Sequence, residues 1–274
     1  MLDSLFEKFE RIVVLDTETT GIDCKKDEII AMLHEMGENE KDYEIVDFDG
    51  EELDAAKLTV QLVREGKADI PMKGILQTSN FARAILNRET GLIPASGRRL
   101  VSQCGIFEYE GRFIMITDAA ININPDVETQ IGIVENALPV AKALGNDCPK
   151  VAVLSAVENV TEKMVSTVTA AEIAKRGVPG CIISGPLALD GAISMESVKH
   201  KAIHDPVAGQ ADILLVPFIE IGNVLYKACT YIAGKTMAST ICGASCPVVI
   251  TSRADTPDSK YYSILMAVLR CLKA

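Results

Sequence analysis

Short apolar runs alternating with helix-patterned stretches constrain this chain more than any other feature. The runs are Ile12–Leu15, Tyr43–Phe48, Ala68–Met72, Phe113–Thr117, Val151–Ser155, Gly180–Ser184, Ile213–Pro217 and Pro247–Thr251. Between them lie segments with helical spacing, among them Leu53–Glu65, Asn80–Asn87, Ile131–Leu144 and Val224–Ala233. Repeated strand–helix alternation predicts a parallel sheet joined by right-handed crossovers. Aromatic residues make up 5% and tryptophan is absent, so Val, Ile, Leu, Ala and Met must build the core. That suits an α/β protein whose strands are buried on both faces.

A chain of 274 residues can bury one large or two modest cores, and 48% hydrophobic against 24% charged residues marks it as globular. The net charge of −11, with no basic cluster denser than Lys25-Lys26 or Arg98-Arg99, argues against nucleic acid as the main partner. Small anions remain open, because one cation beside a helix N-terminus can hold a phosphate. The eight cysteines form no C-x-x-C pair. Asp3, Glu7 and Glu10 interrupt any signal-peptide pattern, and no apolar run reaches membrane-spanning length. These features predict a cytoplasmic protein with no membrane partner.

In open α/β sheets, ligands bind beyond the carboxyl ends of strands. Three turns of this kind carry chemistry. The first, Asp69-Ile70-Pro71-Met72-Lys73-Gly74, leads into a helix bearing Arg83. The second, Val216–Asn223, contains Gly222 and Asn223 and is expected to open a helix at Val224. The third, Ile250–Asp258, contains Ser252 and Arg253; Thr256 reads as an N-cap, Pro257 as the first helical residue and Asp258 as a first-turn acid. An arginine at a strand end can grip a phosphate bidentately, and a neighbouring hydroxyl can stabilise an oxyanion. The bland alternatives are a surface arginine, a plain Asn cap and a solvated lysine.

Neither G-x-x-x-x-G-K-[ST] nor a G-x-G-x-x-G following a strand is present. His200 and His204 have i,i+4 spacing, but Asp205-Pro206 ends the segment and no metal site is assigned there. Ile12–Gly21 resembles the first motif of 3′–5′ exonucleases, in which Asp16 and Glu18 would hold metals. The further carboxylates such chemistry needs are not recognisable.

From about Asp42 onward the chain resembles the phosphate acetyl/butyryltransferase family, the butyryl branch most closely. The resemblance rests on Leu62–Asp69, Met72-Lys73-Gly74, Glu89–Leu92, Gly97–Leu100, Thr117–Ala120 and Lys150–Val157. It continues through Gly185–Asp190, Pro206–Gly209, Ala211–Pro217 with Gly222–Lys227, and Pro247–Asp255. It implies two α/β domains with largely parallel sheets, similar to isopropylmalate dehydrogenases, with the active site in the interdomain cleft. The expected boundaries are 1–108 plus 243–274 for one domain and 109–242 for the other.

The resemblance further implies interconversion of acyl-CoA plus phosphate with acyl phosphate plus CoA. It implies no metal or bound cofactor, and a homodimer or larger homo-oligomer. Ser252, Arg253, Asn223 and Asp255 are then the expected catalytic residues. Lys73, Gly74, Arg83, Gly222 and Asp258 are the expected substrate-binding residues. The acetyl branch has an aspartate where this chain has Ser259, so Asp255 and Asp258 are the local alternatives for a base. Phe218 stands where the family usually has Asp, and Gln103 where the butyryl branch often has His. A catalytically silent CoA-binding homologue and a metal-dependent nuclease using Asp16 and Glu18 are the competing functional readings.

Overall fold

A computed structural model describes residues 12–15, 50–73, 76–94, 98–251 and 255–273. The chain divides into two compact units, one gathering the described residues up to Arg99 with Ala238–Leu272, the other spanning Leu100–Met237.

The first unit holds a three-stranded parallel sheet in the order β1 (Ile12–Leu15), β2 (Ile70–Lys73), β9 (Val249–Ile250). Every residue of β2 is buried, Pro71 included. Pro71 lies opposite Val13 of β1, and the ladder to β9 begins only at Met72. Helices α1 (Glu52–Arg64) and α2 (Thr78–Ile85) follow β1 and β2. Glu52 of α1 accepts a 2.9 Å hydrogen bond from the Asn80 amide of α2 and so ties the two helices together.

The C-terminal helix α8 (Pro257–Lys273) lays Ile264, Ala267 and Val268 against Ile70, Met72 and Val249. Fully burying Ile264 or Val268 stabilises the unit by about 1.5–3 kcal/mol each. Strand β8 (Ala238–Cys242) returns toward β9 through an antiparallel bridge between Ile241 and Val248. Arg270 of α8 secures it by donating to Thr240 Oγ1 at 3.1 Å and the Ile241 carbonyl at 2.8 Å.

The second unit's sheet runs β6 (Ile182–Leu187), β5 (Lys150–Leu154), β7 (Ile213–Leu215), β4 (Arg112–Thr117), β3 (Ser102–Tyr109). All pairs are parallel except β3–β4. The apolar runs Ile114–Ile116, Val151–Leu154 and Ile213–Leu215 are buried throughout, as strands with helices on both sides require.

Strand β3 departs from the sequence expectation, which placed no strand between Met72 and Phe113. Its Ser, Gln and Gly residues blur the apolar pattern. The readable signal was Glu110-Gly111, a two-residue hairpin turn in which both residues have positive φ (52° and 78°). Gly105 is explained by α7 (Ile219–Lys227): a Cβ there would stand 2.6 Å from the Tyr226 ring packed on this strand.

Helix α3 (Val127–Ala143) starts where Asp126 caps it, accepting from the Thr129 N–H at 2.8 Å, with Glu128 in the first turn. Helix α4 (Val165–Arg176) connects β5 to β6, and the short α5 (Leu189–Ile193) and α6 (Met195–Lys201) precede β7. Helix α6 stops at Lys201, and Ala202 follows in the left-handed region, so His200 and His204 do not share a helix face. His200 lies within 3.6 Å of Glu196 instead. The expected strand Tyr43–Phe48 and the Asp16/Glu18 pair lie outside the described residues.

Candidate functional site

In the second unit, the carboxyl ends of the neighbouring parallel strands β4 and β7 meet the start of α7. The Val216 N–H donates to the Thr117 carbonyl at 2.8 Å, which holds the two strand ends together just before each turns. Helix α7 begins at Ile219 with Phe218 as a cap that makes no side-chain hydrogen bond. This corrects the expected helix start at Val224: Gly222 and Asn223 lie inside the helix rather than in front of it. The physical reason is that Ile219, Glu220 and Ile221 are acceptable helix residues, whereas the glycine misleadingly suggests a boundary.

Gly222 is a glycine because the helix approaches the β4 end closely. A Cβ there would lie 2.6 Å from the Asp118 carbonyl oxygen and 2.9 Å from Ala119 Cα. Asn223 is exposed, and its Nδ2 donates to the Ala119 carbonyl at 3.3 Å. An amide nitrogen carries two hydrogens, so this contact orients the group and leaves a second N–H for a ligand.

Asp118, from the matched stretch Thr117–Ala120 but not singled out in the sequence, organises this corner. It is 2% exposed. Its Oδ1 accepts from the N–H groups of Gln103 (3.1 Å), Ala120 (2.9 Å) and Ile121 (3.1 Å). Its Oδ2 accepts from the Asn122 backbone N–H (3.0 Å) and Nδ2 (2.6 Å). Burial raises its carboxyl above the usual carboxylate range, while the hydrogen bonds from Ala120, Asn122 and Gln103 pull the other way. Asn122 also donates to the Val101 carbonyl at 2.9 Å, extending the network to the start of β3. The sequence signal that could have found this residue is an Asp directly after an apolar run, the usual acceptor for turn N–H groups.

In the first unit, Lys73 ends β2 and is 2% exposed, its Nζ donating to the Leu76 carbonyl at 3.0 Å. The alternative of a solvated strand-end lysine is therefore set aside. Lys73 pairs in register with Ile250 of β9, the strand that leads into Ser252 and Arg253. Ser252, Arg253 and Gly74 lie outside the described residues. Arg83 is exposed on the last turn of α2.

Past β9, Thr256 caps α8 as expected, its Oγ1 accepting from the Ser259 N–H at 3.2 Å. Asp258 is exposed in the first turn and Asp255 is half-buried. Ser259 is buried in the cap, bonded at 3.2 Å to Thr256 Oγ1, and supplies no base. Burial pushes the Cys246 thiol up to about 12 and the Cys181 thiol up to about 11, so neither supplies a thiolate nucleophile near neutral pH. Among the described residues, no group of three or more His, Cys, Asp or Glu is arranged to hold a metal, and no helix is long and apolar enough to cross a membrane.

Comparison with known proteins identifies the family. A family profile described as "Phosphate acetyl/butaryl transferase" matches residues 14–268. The chain is 43% identical to the phosphate butyryltransferase of Clostridium acetobutylicum over 249 residues, covering 89% of this chain and 81% of that protein. It is 47% identical over 219 residues to a probable phosphate butyryltransferase of Bacillus subtilis, covering 78% and 73% of the two chains. Among solved structures, a branched-chain phosphotransacylase from Enterococcus faecalis V583 superposes with a TM-score of 0.80 at 36% identity, covering 90% of this chain and 96% of that one.

Proposed function

The chain belongs to the phosphate acetyl/butyryltransferase family, and from that premise we propose that it exchanges a short acyl group between CoA and inorganic phosphate, preferring butyryl or branched chains to acetyl. Family membership establishes a phosphate acyltransferase; the acyl preference and the residue roles are our reading. The butyryltransferase relatives and the branched-chain phosphotransacylase support the preference.

In the acyl-phosphate-forming direction, a phosphate oxygen attacks the thioester carbonyl. Negative charge grows on the carbonyl oxygen, then the C–S bond breaks and CoA leaves. Arg253 orients phosphate, and Lys73 and Arg83 add positive potential. Ser252 and the free N–H of Asn223 stabilise the oxyanion. Gly222 lets α7 sit close enough to bring Asn223 to the β4 end. In reverse, the CoA thiol, with an ordinary pKa of about 8.5, gives its proton to Asp255 or Asp258. Gly74, next to Lys73 in the sequence, completes the proposed substrate-binding set. The substrates are acyl-CoA and phosphate, the mechanism uses only the chain's own groups, and CoA thioesters fit the expected cytoplasmic location.

The observation that carries this reading is the buried ammonium of Lys73 in register with the strand leading to Ser252 and Arg253. In a chain of net charge −11, a lysine at this strand end supplies local positive potential suited to a small anion. Arg253→Ala is expected to lower phosphate-dependent CoA release about 100-fold or more, the scale of losing a transition-state charge contact. Undiminished turnover would remove the assignment of Arg253. CoA binding without any turnover by the unaltered chain would favour the catalytically silent homologue.

A homodimer or larger assembly is also part of the proposal. It is supported by large apolar side chains left exposed along α7 and the π-helical turn Ala228–Ile232, namely Val224, Tyr231 and Ile232.

A further inference from the structure

Asp118 is 2% exposed, and its carboxylate collects five N–H donors at the strand end that receives α7. The hydrogen bonds bring in the start of β3 through Gln103 and, by way of Asn122, the Val101 carbonyl. They also fix the backbone from Ala120 to Asn122, immediately beyond the two surfaces that α7 touches. Those surfaces are the Asp118 carbonyl beneath Gly222 and the Ala119 carbonyl that accepts from Asn223. With no space for a Cβ at Gly222, the helix backbone lies directly against this turn.

We infer that Asp118 is a positioning residue for the transfer reaction, acting through the Ala119 carbonyl to fix the Asn223 amide where the oxyanion forms. The inference rests on the function proposed above and adds to it a group that never touches substrate. Its physical content is directional. The carboxylate sets the Ala119 carbonyl, that carbonyl takes one N–H of Asn223, and the remaining N–H is thereby aimed. An asparagine whose amide could rotate freely would lose much of its advantage over water, because preorganisation is what such donors contribute.

A double-mutant cycle separates this role from mere support of the fold. Asn223→Ala should lower kcat about 100-fold, the scale of losing one oxyanion donor. Asp118→Asn puts an amide donor against the Asn122 or Ala120 N–H groups and should lower kcat about 10- to 100-fold, with KM for phosphate changed less than threefold. If Asp118 acts through Asn223, the double variant is expected within about threefold of Asn223→Ala alone. Losses that multiply to roughly 1,000-fold or more overturn the proposal.

All variants are to be assayed at a temperature where circular dichroism finds them folded. Should Asp118→Asn not fold, Asn122→Ala removes one donor from the same carboxylate and enters the same cycle. Its loss of kcat should vanish in the Asn223→Ala background, and persistence there is equally contradictory. An unaltered chain that is inert on every acyl-CoA removes the functional reading and the positioning role together. Multiplying losses in an active enzyme remove only the positioning role.

Discussion

A methyl group added at Gly222 would stand 2.6 Å from the Asp118 carbonyl, well inside contact distance and against backbone that cannot rotate away. Alanine gains about 1 kcal/mol over glycine in a helix interior, but overpacking costs about 1–3 kcal/mol. The clash should win. Gly222→Ala is expected to lower the thermal midpoint and to reduce kcat with it, because Asn223 moves with the helix. A variant of raised stability in thermal denaturation would show that the approach is not tight. At this scale the sequence was informative about identity but not about setting. Gly222 and Asn223 stood out as a close approach plus an amide, whereas the burial of Lys73 was invisible. Asp118 was passed over because a buried carboxylate among backbone donors looks, in one dimension, like any Asp after a strand.

Elements were legible where one pattern dominates. The runs at Ile12–Leu15, Phe113–Thr117, Val151–Ser155 and Ile213–Pro217 became strands within a residue or two of their expected bounds, because no polar residue interrupts them. Strands β3 and β8 were missed because Ser, Thr, Gln and Gly dilute their apolar character. Helix α7 was read several residues too late because its glycine serves packing and marks no boundary.

The same helix and the π-helical turn after it leave Val224, Tyr231 and Ile232 at 68%, 64% and 86% exposure. Single exposed apolar residues are ordinary, but a run along one continuous element points to a covered surface. If a second copy of the chain covers it, light scattering at micromolar concentration gives at least twice the monomer mass of 29.5 kDa. Ile232→Asp should then shift the mass toward the monomer. A monomer before any substitution would refute the assembly.

For the whole molecule, alternating apolar runs forecast a largely parallel α/β architecture, and the structure has it in both units. The discontinuous first unit, in which the chain leaves at Arg99 and returns at Ala238, has no compositional mark, because both units draw on the same aliphatic core residues. It could be anticipated only from resemblance.

Phosphate, not water, is expected to receive the acyl group. Phosphorus NMR of the purified protein with butyryl-CoA and orthophosphate tests it directly, with released thiol measured in parallel. An acyl phosphate resonance is expected to grow in one-to-one proportion with free CoA, faster for butyryl or branched thioesters than for acetyl. Thiol release with the orthophosphate signal unchanged, or no release from any thioester between acetyl-CoA and hexanoyl-CoA, would contradict it.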